Sequence, residues 1–275
     1  MKNSRITFIG CGNMGRSLIG GLIANGLPVN SITGTDINAE QRQTAASQFN
    51  IEVLEDNRQA IKDTDVVVLA VKPQSMQDTL QGIKAALAQE KPLLISIAAG
   101  IQLSHLGQWA GEELAIVRTM PNTPAIIQAG ATALCANRHT SETQRDLAEA
   151  IMRSVGLALW LDDESLMDAV TALSGSGPAY YFLIMEVMEK AATQLGLSQE
   201  HARILTLQTA FGAAKMVLES NQDAQTLRKQ VTSPGGTTEQ ALNVLMDGGI
   251  EDLFVDALKA AQKRSAELAT SLGGK

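Results

Sequence analysis

The chain has 275 residues, of which 45% are hydrophobic and 3% aromatic, and this length predicts about two domains with aliphatic cores. A net charge of −7 and a pI of about 5.1 argue against nucleic acid or an anionic membrane surface as the main partner. Two cysteines make no disulfide framework, and the sequence has neither a signal-peptide pattern nor an apolar run of membrane-spanning length. We therefore expect a cytoplasmic protein that binds neither nucleic acid nor membranes.

Strand and helix patterns alternate over the first 160 residues, which is typical of a doubly wound sheet. The run DVVVLAV, 65–71, is β-branched and apolar on both faces, as a buried parallel strand should be. The other predicted strands are 5–9, 31–35, 92–100, 113–120, 130–137 and 156–163. Helical patterns are clearest at 13–25, 74–89 and 141–154, with a polar helix from about Ala39. We predict an α/β fold whose first domain, residues 1–162, is a Rossmann-type doubly wound sheet.

The remainder of the chain, from residue 164 on, carries only helical patterns. Its stretch PAYYFLIMEVMEKAATQLG, 178–196, is nearly apolar over its first eleven residues. A helix that is apolar on most sides is buried, either in a large core or against another subunit. We therefore predict that residues 163–275 form an all-helical domain that dimerises.

A glycine motif follows the first predicted strand. The stretch FIGCGNMG, 8–15, has the spacing Gly10-x-Gly12-x-x-Gly15 after a strand and at the start of a helix, the context in which it binds a dinucleotide pyrophosphate. Gly10 would make the tight turn, Gly12 would let the pyrophosphate approach the backbone, and Gly15 would let the helix pack on the strand. The N–H groups at the start of the helix would bind the phosphates.

The type of dinucleotide stays open at this point. Asp36 is placed to bind a ribose 2′-OH, which favours NAD, whereas Arg42 could reach a 2′-phosphate, which favours NADP. Lys72 and Pro73 follow the strongest strand, where ligands bind in open α/β sheets. The same position argument applies to the stretches SIAAG, 96–100, and TMPNTPA, 119–125.

Side chains typical of acid–base or metal chemistry are scattered along this sequence. His105, His139 and His201 lie far apart, no cluster has metal-ligand spacing, and no Ser-His-Asp arrangement stands out. We expect no metal. In hydride chemistry the cofactor does the reaction, and the protein supplies binding, orientation and electrostatics.

Two loops interrupt the helical half. In ALSGSGPAYY, 172–181, Ser176 is placed as a helix cap and Pro178 as the first helical residue. In VTSPGGTTEQAL, 231–242, the letters TTEQ match a capping box with Thr237 as N-cap and Gln240 at N3. The glycines just before it give the backbone conformational freedom. The N–H groups at such a helix start can bind a carboxylate. With the Thr238 hydroxyl, this loop is predicted to be an uncharged anion clamp.

Six stretches appear in an order and spacing that resemble the pyrroline-5-carboxylate reductase family, namely FIGCGNMG, AVKPQ, SIAAGI, RTMPNTPA, LSGSGPAYYF and VTSPGGTTEQAL. The resemblance covers essentially the whole chain. It implies NADP(H) or NAD(H) as cofactor and the reduction of L-1-pyrroline-5-carboxylate to L-proline, the final step of proline biosynthesis. It also implies helical domains that interlock in a homodimer, and dimers that assemble into rings of five, which makes a decamer.

The resemblance also implies roles for individual residues. Those of the cofactor site are Gly10, Cys11, Gly12, Asn13, Met14 and Gly15 at the pyrophosphate, Asp36 and Asn57 at the adenosine ribose or its phosphate, Ala70, Lys72, Pro73, Ala98 and Ala99 along the dinucleotide, and Met120, Pro121 and Asn122 at the nicotinamide end. Those of the substrate site are Ser176, Ser233, Gly236, Thr237 and Thr238. Thr238 would lie near the imine nitrogen, as the catalytic residue.

Two other functions fit parts of the pattern. A β-hydroxyacid dehydrogenase shares the layout and the glycine start, but it needs a lysine on its long interdomain helix, and 174–189 contains none before Lys190. A dinucleotide-binding sensor without turnover is the alternative from a different class, and an uncharged clamp would suit it.

Overall fold

The computed structural model of the protein describes residues 4–273, which form two compact units. Unit 1 runs to Ser176 and resumes at Ala261, and unit 2 is Gly177–Ala260. The predicted domain boundary at residue 162 lies inside unit 1, because the segment after the last strand packs against the sheet through Met167 and Val170. The last helix begins in unit 2 and ends in unit 1.

Unit 1 is built on one eight-stranded sheet, in the order β3-β2-β1-β4-β5-β6-β7-β8. All neighbouring strands are parallel except β6 and β7. The predicted doubly wound sheet is thereby confirmed, and the three-residue edge strand β3 is an addition to the prediction. The strands are β1 Ile6–Ile9, β2 Ile32–Thr35, β3 Glu52–Leu54, β4 Val66–Leu69, β5 Leu93–Ser96, β6 Ile116–Met120, β7 Gly130–Ala136 and β8 Gly156–Trp160.

Helices cover both faces of this sheet and make up unit 2. Those of unit 1 are α1 Asn13–Ala24, α2 Ala39–Phe49, α3 Asn57–Ala60, α4 Met76–Glu90, α5 Leu103–Ala110, α6 Glu142–Arg153 and α7 Met167–Val170. Unit 2 contains α8 Gly177–Gln194, α9 Gln199–Glu219, α10 Ala224–Gln230, α11 Thr237–Asp247 and the start of α12 Ile250–Gly273. Helix α5 was not predicted. None of the helices within residues 4–273 is long and apolar enough to cross a membrane.

The core of unit 1 lies in two apolar layers, one on each face of the sheet. Strand β4 shows why, because Val66 and Val68 face one layer while Val67 and Leu69 face the other. All four are completely buried, which confirms the prediction that this strand is covered on both sides.

The chain between α7 and α8 departs from regular helix. Residues Thr171–Gly175 form a π-helical turn, and the N–H of Ser176 donates to the carbonyl of Thr171 at 2.9 Å. Ser176 itself has right-handed helical dihedral angles, φ −86° and ψ −20°. An N-cap residue is extended, so the prediction that Ser176 caps a new helix is wrong. The helical path continues through this point, which leaves no helix start for Ser176 to cap.

Unit 2 presents large apolar side chains at its surface. On α8, Tyr181, Phe182 and Leu183 are 66%, 63% and 59% exposed. Others on α9, α11 and α12 are Ile204, Leu205, Phe211, Val244, Leu245 and Leu253. An apolar surface of this extent on one chain marks a protein–protein interface.

A buried ion pair ties the start of the helical segment to the sheet. Arg118 on β6 has only 5% of its side chain exposed, and its Nη1 lies 2.7 Å from Oε1 of Glu164. The same carboxylate oxygen accepts the N–H of Leu103 at 2.8 Å. A buried guanidinium without a counter-ion is costly, so Glu164 determines where the chain leaves the sheet.

We expect Glu164→Ala to lower the free energy of unfolding by about 2–3 kcal/mol, because Arg118 would remain buried without its partner. Glu164→Gln keeps an acceptor for both donors and should lose less. The control is Glu267→Ala, which removes an exposed pair with Arg264 and should change stability little. Urea denaturation measures all three, and equal losses for Glu164→Ala and Glu267→Ala would contradict the anchoring role.

Candidate functional site

The residues predicted to bind a dinucleotide lie along one edge of the sheet. The strand order reverses at β1 and β4, with β2 and β3 on one side and β5 and β6 on the other, and ligands of open α/β sheets bind at such a switch point. Each predicted residue follows the carboxyl end of a parallel strand, as Gly10 follows β1, Asp36 follows β2, Asn57 follows β3, Ala70 follows β4, Ala98 follows β5 and Pro121 follows β6.

The three glycines of the loop have different surroundings, and each fits its predicted role. Gly10 has φ +102°, and a Cβ there would come within 2.5 Å of the Ala70 carbonyl oxygen. A Cβ on Gly15 would come within 2.5 Å of the Gly10 oxygen. A Cβ on Gly12, by contrast, would meet nothing within 4 Å. The loop is therefore packed tightly on both sides of Gly12 and open above it, where a pyrophosphate has to approach.

Asp36 forms a hydrogen bond with the backbone of the glycine loop. Its Oδ2 accepts the N–H of Cys11 at 2.8 Å, and its Oδ1 accepts the N–H of Asn38 at 2.9 Å. Asp36 is half-buried, so part of this residue remains accessible. This arrangement allows a ribose hydroxyl to bind while the carboxylate keeps its backbone partners.

Two arginines form hydrogen bonds with backbone carbonyls of the glycine loop and of the segment that begins at Asp36. Arg42 donates to the carbonyls of Asp36 and Ile37 at 2.8 and 3.2 Å, and it pairs with Glu55. Arg16 donates to the Cys11 carbonyl at 3.0 Å and to Oδ1 of Asn13 at 2.9 Å. A 2′-phosphate would have to compete with Glu55 for Arg42. The contact of Arg16 with the loop was not predicted from the sequence.

Cys11 lies beneath the loop. Its side chain is fully buried, its Sγ lies 3.5 Å from the Thr35 carbonyl, and its N–H is taken by Asp36. Burial raises the pKa of the thiol to about 11, and the Asp36 carboxylate adds to this effect. The thiol is therefore neutral and unreactive near neutral pH. Within residues 4–273 no group of three His, Cys, Asp or Glu side chains is arranged to hold a metal ion.

The other predicted cofactor residues differ in exposure. Asn13 and Lys72 are exposed at the open side of the edge. Those that are half-buried are Met14, Asn57, Ala70, Pro73, Ala99, Met120 and Asn122, and those that are buried are Ala98 and Pro121. Accessible backbone and side-chain surface therefore lies along the carboxyl ends of the parallel strands, where the dinucleotide is predicted to bind.

Asn122 makes contacts that the sequence did not reveal. Its Oδ1 accepts the N–H of Ala131 at 2.9 Å, and its Nδ2 donates to the carbonyl of Ser174 at 3.1 Å. Gly175 lies so close to the methyl group of Met120 that a Cβ at this position would overlap it. The π-turn that leads to Ser176 is thus packed against the end of β6, where the nicotinamide end of a dinucleotide is predicted.

The predicted substrate loop lies in unit 2 and differs from expectation. The capping box is wrong, because Gly236 is the N-cap of α11, no side chain caps the helix, and Thr237 is its first residue. Instead, Oε2 of Glu239 accepts the N–H of Gly235 at 2.8 Å. The clamp therefore contains a carboxylate and is not uncharged.

Hydrogen-bonding groups nevertheless remain available in this loop. Within the described residues, the hydroxyl groups of Ser233, Thr237 and Thr238 have no hydrogen-bond partner, and neither do the first N–H groups of α11. Gly236 leaves no room for a side chain, because its Cβ would come within 2.5 Å of the Ser233 hydroxyl. The loop thus offers free donors beside one half-buried hydroxyl, that of Thr238.

The fold and the glycine loop are those of a Rossmann-type dinucleotide-binding protein. A family model for pyrroline-5-carboxylate reductase dimerisation matches residues 164–268, and one for NADP oxidoreductase coenzyme F420-dependent matches residues 5–100. A pyrroline-5-carboxylate reductase of Pseudomonas aeruginosa is 52% identical over 99% of this chain and 100% of its own length. The chain belongs to the pyrroline-5-carboxylate reductase family.

Solved structures agree with this membership. A pyrroline-5-carboxylate reductase from Coxiella burnetii has a TM-score of 0.93 and 48% identity, covering 96% of this chain and 98% of its own. A pyrroline carboxylate reductase from Plasmodium falciparum, solved with NADP bound, has a TM-score of 0.87 and 32% identity, covering 98% and 99%.

We expect Gly12→Val to abolish binding of both NADH and NADPH while the protein stays folded. The new side chain would fill the approach to the loop, and the structure has room for it. The control is Gly82→Val on α4, because a Cβ there also meets nothing within 4 Å and should leave dinucleotide affinity unchanged. Calorimetric titration measures both variants, and near-normal affinity of folded Gly12→Val would disprove the assignment of the loop.

Proposed function

We propose that this protein reduces L-1-pyrroline-5-carboxylate to L-proline with NADPH or NADH, the final step of proline biosynthesis. The observation that carries the proposal is similarity across 99% of the chain to the Pseudomonas aeruginosa enzyme. That span includes the glycine loop of unit 1 and the loop before α11 in unit 2.

The chain's contribution to the reaction is binding and orientation. When bound, the reduced dinucleotide supplies a hydride for the imine carbon. We infer that the first N–H groups of α1 bind the pyrophosphate and that Asp36 and Asn57 lie at the adenosine ribose. Ala70, Lys72, Pro73, Ala98 and Ala99 would line the remainder, with Met120 and Pro121 at the nicotinamide end. The glycine packing around Gly10 and Gly15 supports this arrangement.

We infer that the substrate is bound by Ser176, Ser233, Gly236, Thr237 and Thr238. The free N–H groups at the start of α11 suit a carboxylate, and the Thr238 hydroxyl can bond the ring nitrogen. That nitrogen can arrive protonated, so a strong enzyme acid is dispensable. The Glu239 carboxylate lowers the positive potential of this loop, which weakens its attraction for the ligand carboxylate and eases the release of proline.

The alternative functions fit the structure less well. A β-hydroxyacid dehydrogenase would need a buried lysine beside its substrate, whereas Lys190 is exposed on α8 and pairs with Glu186. A sensor without turnover was suggested by an uncharged clamp, and the carboxylate of Glu239 removes that support.

An absorbance assay at the nicotinamide band tests the proposed function. Oxidation of NADPH or NADH should occur when pyrroline-5-carboxylate is added, and proline should accumulate in equal amount. Reduction of NAD(P)+ by β-hydroxy acids, with no response to the imine, would support the dehydrogenase instead. Tight dinucleotide binding with no turnover of either substrate would support the sensor.

We also propose that the protein acts in the cytoplasm as a homodimer, and that five dimers assemble into a decamer. The match of residues 164–268 to the dimerisation model supports the dimer, and so do the exposed apolar side chains of α8.

Sedimentation should therefore give at least twice the chain mass of 29.2 kDa, and ten chains if the rings form. Phe182→Asp places a charge on the apolar surface of α8 and should shift the protein toward monomer on dilution. The control is Ile37→Asp, since Ile37 is 91% exposed and belongs to unit 1 rather than to the apolar helices of unit 2. A wild-type monomer with full activity would disprove the proposed assembly.

Thr238→Ala should lower kcat/KM for pyrroline-5-carboxylate about tenfold to hundredfold, since one hydrogen bond with a buried partner is worth about 1–3 kcal/mol. Dinucleotide affinity should stay the same, because the glycine loop belongs to unit 1. Thr238→Ser keeps the hydroxyl and should retain most activity. If Thr238→Ala has wild-type kcat/KM, or if only its melting temperature falls, the proposed role of Thr238 is wrong.

A further inference from the structure

The carbonyl of Ser174 has an unusual position in the helical segment of unit 1. In a regular helix it would accept the N–H of the residue four positions on, but that residue is Pro178, which has no N–H. The chain forms its π-turn at this place, over Thr171–Gly175. Pro178 therefore cannot satisfy this carbonyl, and a side chain from the sheet can donate to it in place of the missing N–H.

Asn122 supplies that donor. Its Nδ2 donates to the Ser174 carbonyl at 3.1 Å, while its Oδ1 accepts the N–H of Ala131 on β7 at 2.9 Å. One half-buried carboxamide thus joins the sheet to the π-turn. The predicted role of Asn122 was contact with the nicotinamide end, whereas both polar atoms of its side chain are bonded within the protein.

The same segment is attached to unit 1 at two earlier points. Glu164 pairs with Arg118, and Oδ1 of Asp168 accepts the hydroxyl of Ser265 on α12 at 2.7 Å. Asn122 makes the last of these attachments before the first part of unit 1 ends at Ser176. Its partner, Ser174, precedes Ser176 by two residues in the chain. The position of Ser176 relative to the end of β6 therefore depends most directly on this amide.

We propose that Asn122 is a positioning residue of the reaction, which holds the π-turn against the end of β6 and so sets the place of Ser176 beside the nicotinamide end. The inference rests on the proposed function, since it assigns a consequence to the substrate role of Ser176. The close packing of Gly175 on Met120 restricts the turn from a second side. Loss of the Asn122 bond displaces the substrate side of the site and leaves the glycine loop intact.

The chain contains a matched control in Asn137, at the other end of β7. Its Nδ2 donates to the Leu114 carbonyl at 2.8 Å, and its Oδ1 accepts the N–H of Ile116 at 3.1 Å. Asn137 is half-buried like Asn122 and also bridges backbone groups with both amide atoms. Asn137 lies at the opposite ends of the strands from the predicted dinucleotide site. Loss of its hydrogen bonds should therefore affect stability alone.

The experiment compares Asn122→Ala, Asn122→Asp and Asn137→Asp in the full-length protein. Both Asn122 variants should lower kcat/KM for pyrroline-5-carboxylate about tenfold to hundredfold, mainly through KM, with NADPH affinity unchanged within about twofold. Asp keeps an acceptor for Ala131 but places a carboxylate oxygen opposite the Ser174 carbonyl, where two acceptors repel, so it should lose at least as much activity as Ala. Asn137→Asp should lower the melting temperature and leave kcat/KM at the wild-type value.

Several outcomes would overturn the inference. Asn122→Asp with near wild-type kcat/KM would show that the bond to Ser174 has no role in turnover. Weaker NADPH binding by the Asn122 variants would make Asn122 a cofactor ligand instead. A fall in melting temperature alone, as in Asn137→Asp, would make it purely structural. Failure of the proposed function is separate, because the wild-type protein would then not turn over pyrroline-5-carboxylate at all.

Discussion

The close approach of the glycine loop to the end of β4 is the constraint on which the rest of unit 1 depends. Backbone atoms of Gly10 and Ala70 lie so near each other that a single Cβ on Gly10 would overlap the Ala70 carbonyl. This contact sets the separation of β1 and β4 at their carboxyl ends, where the sheet order reverses. It also directs the start of α1 toward the crevice, because Gly15 packs equally closely on Gly10.

A second set of contacts connects the segment after β8 to the rest of unit 1. The Arg118–Glu164 pair, the Asp168–Ser265 bond and the Asn122–Ser174 bond follow one another along the segment after β8. These polar contacts lie beside the apolar contacts that Leu161, Met167 and Val170 of the same segment make with the sheet. The end of β6 thus contacts the π-turn and is also where the nicotinamide end is proposed to lie, so in the proposed site one strand terminus lies beside both ligands.

Much of this arrangement could be predicted from the sequence because its signals are local. The glycine spacing, the β-branched run before Ala70 and the change from strand to helix patterns all lie within short windows. The short edge strand β3 was missed, because three partly exposed residues carry little pattern. The capping box at Thr237 was wrong because Glu239, two residues on, reaches back to Gly235, a competing contact with the same local signature.

The contacts that need the folded chain could not be predicted. Arg118 and Glu164 are 46 residues apart, and Asn122 and Ser174 are 52 apart, so no local pattern pairs them. Only Pro178 gave a signal, since it removes the donor that Ser174 would otherwise use, and that signal does not identify Asn122 as the replacement.

The proposed function requires that the protein transfer a hydride from a nicotinamide dinucleotide to the imine carbon of pyrroline-5-carboxylate. The most direct measurement supplies reduced nicotinamide dinucleotide with deuterium at both C4 positions and follows the label into the product by mass spectrometry. Hydride transfer should give proline that carries one deuterium, located on the ring carbon that was the imine carbon and not on the carbon bearing the carboxylate. Unlabelled proline, or label found only in solvent, would contradict it.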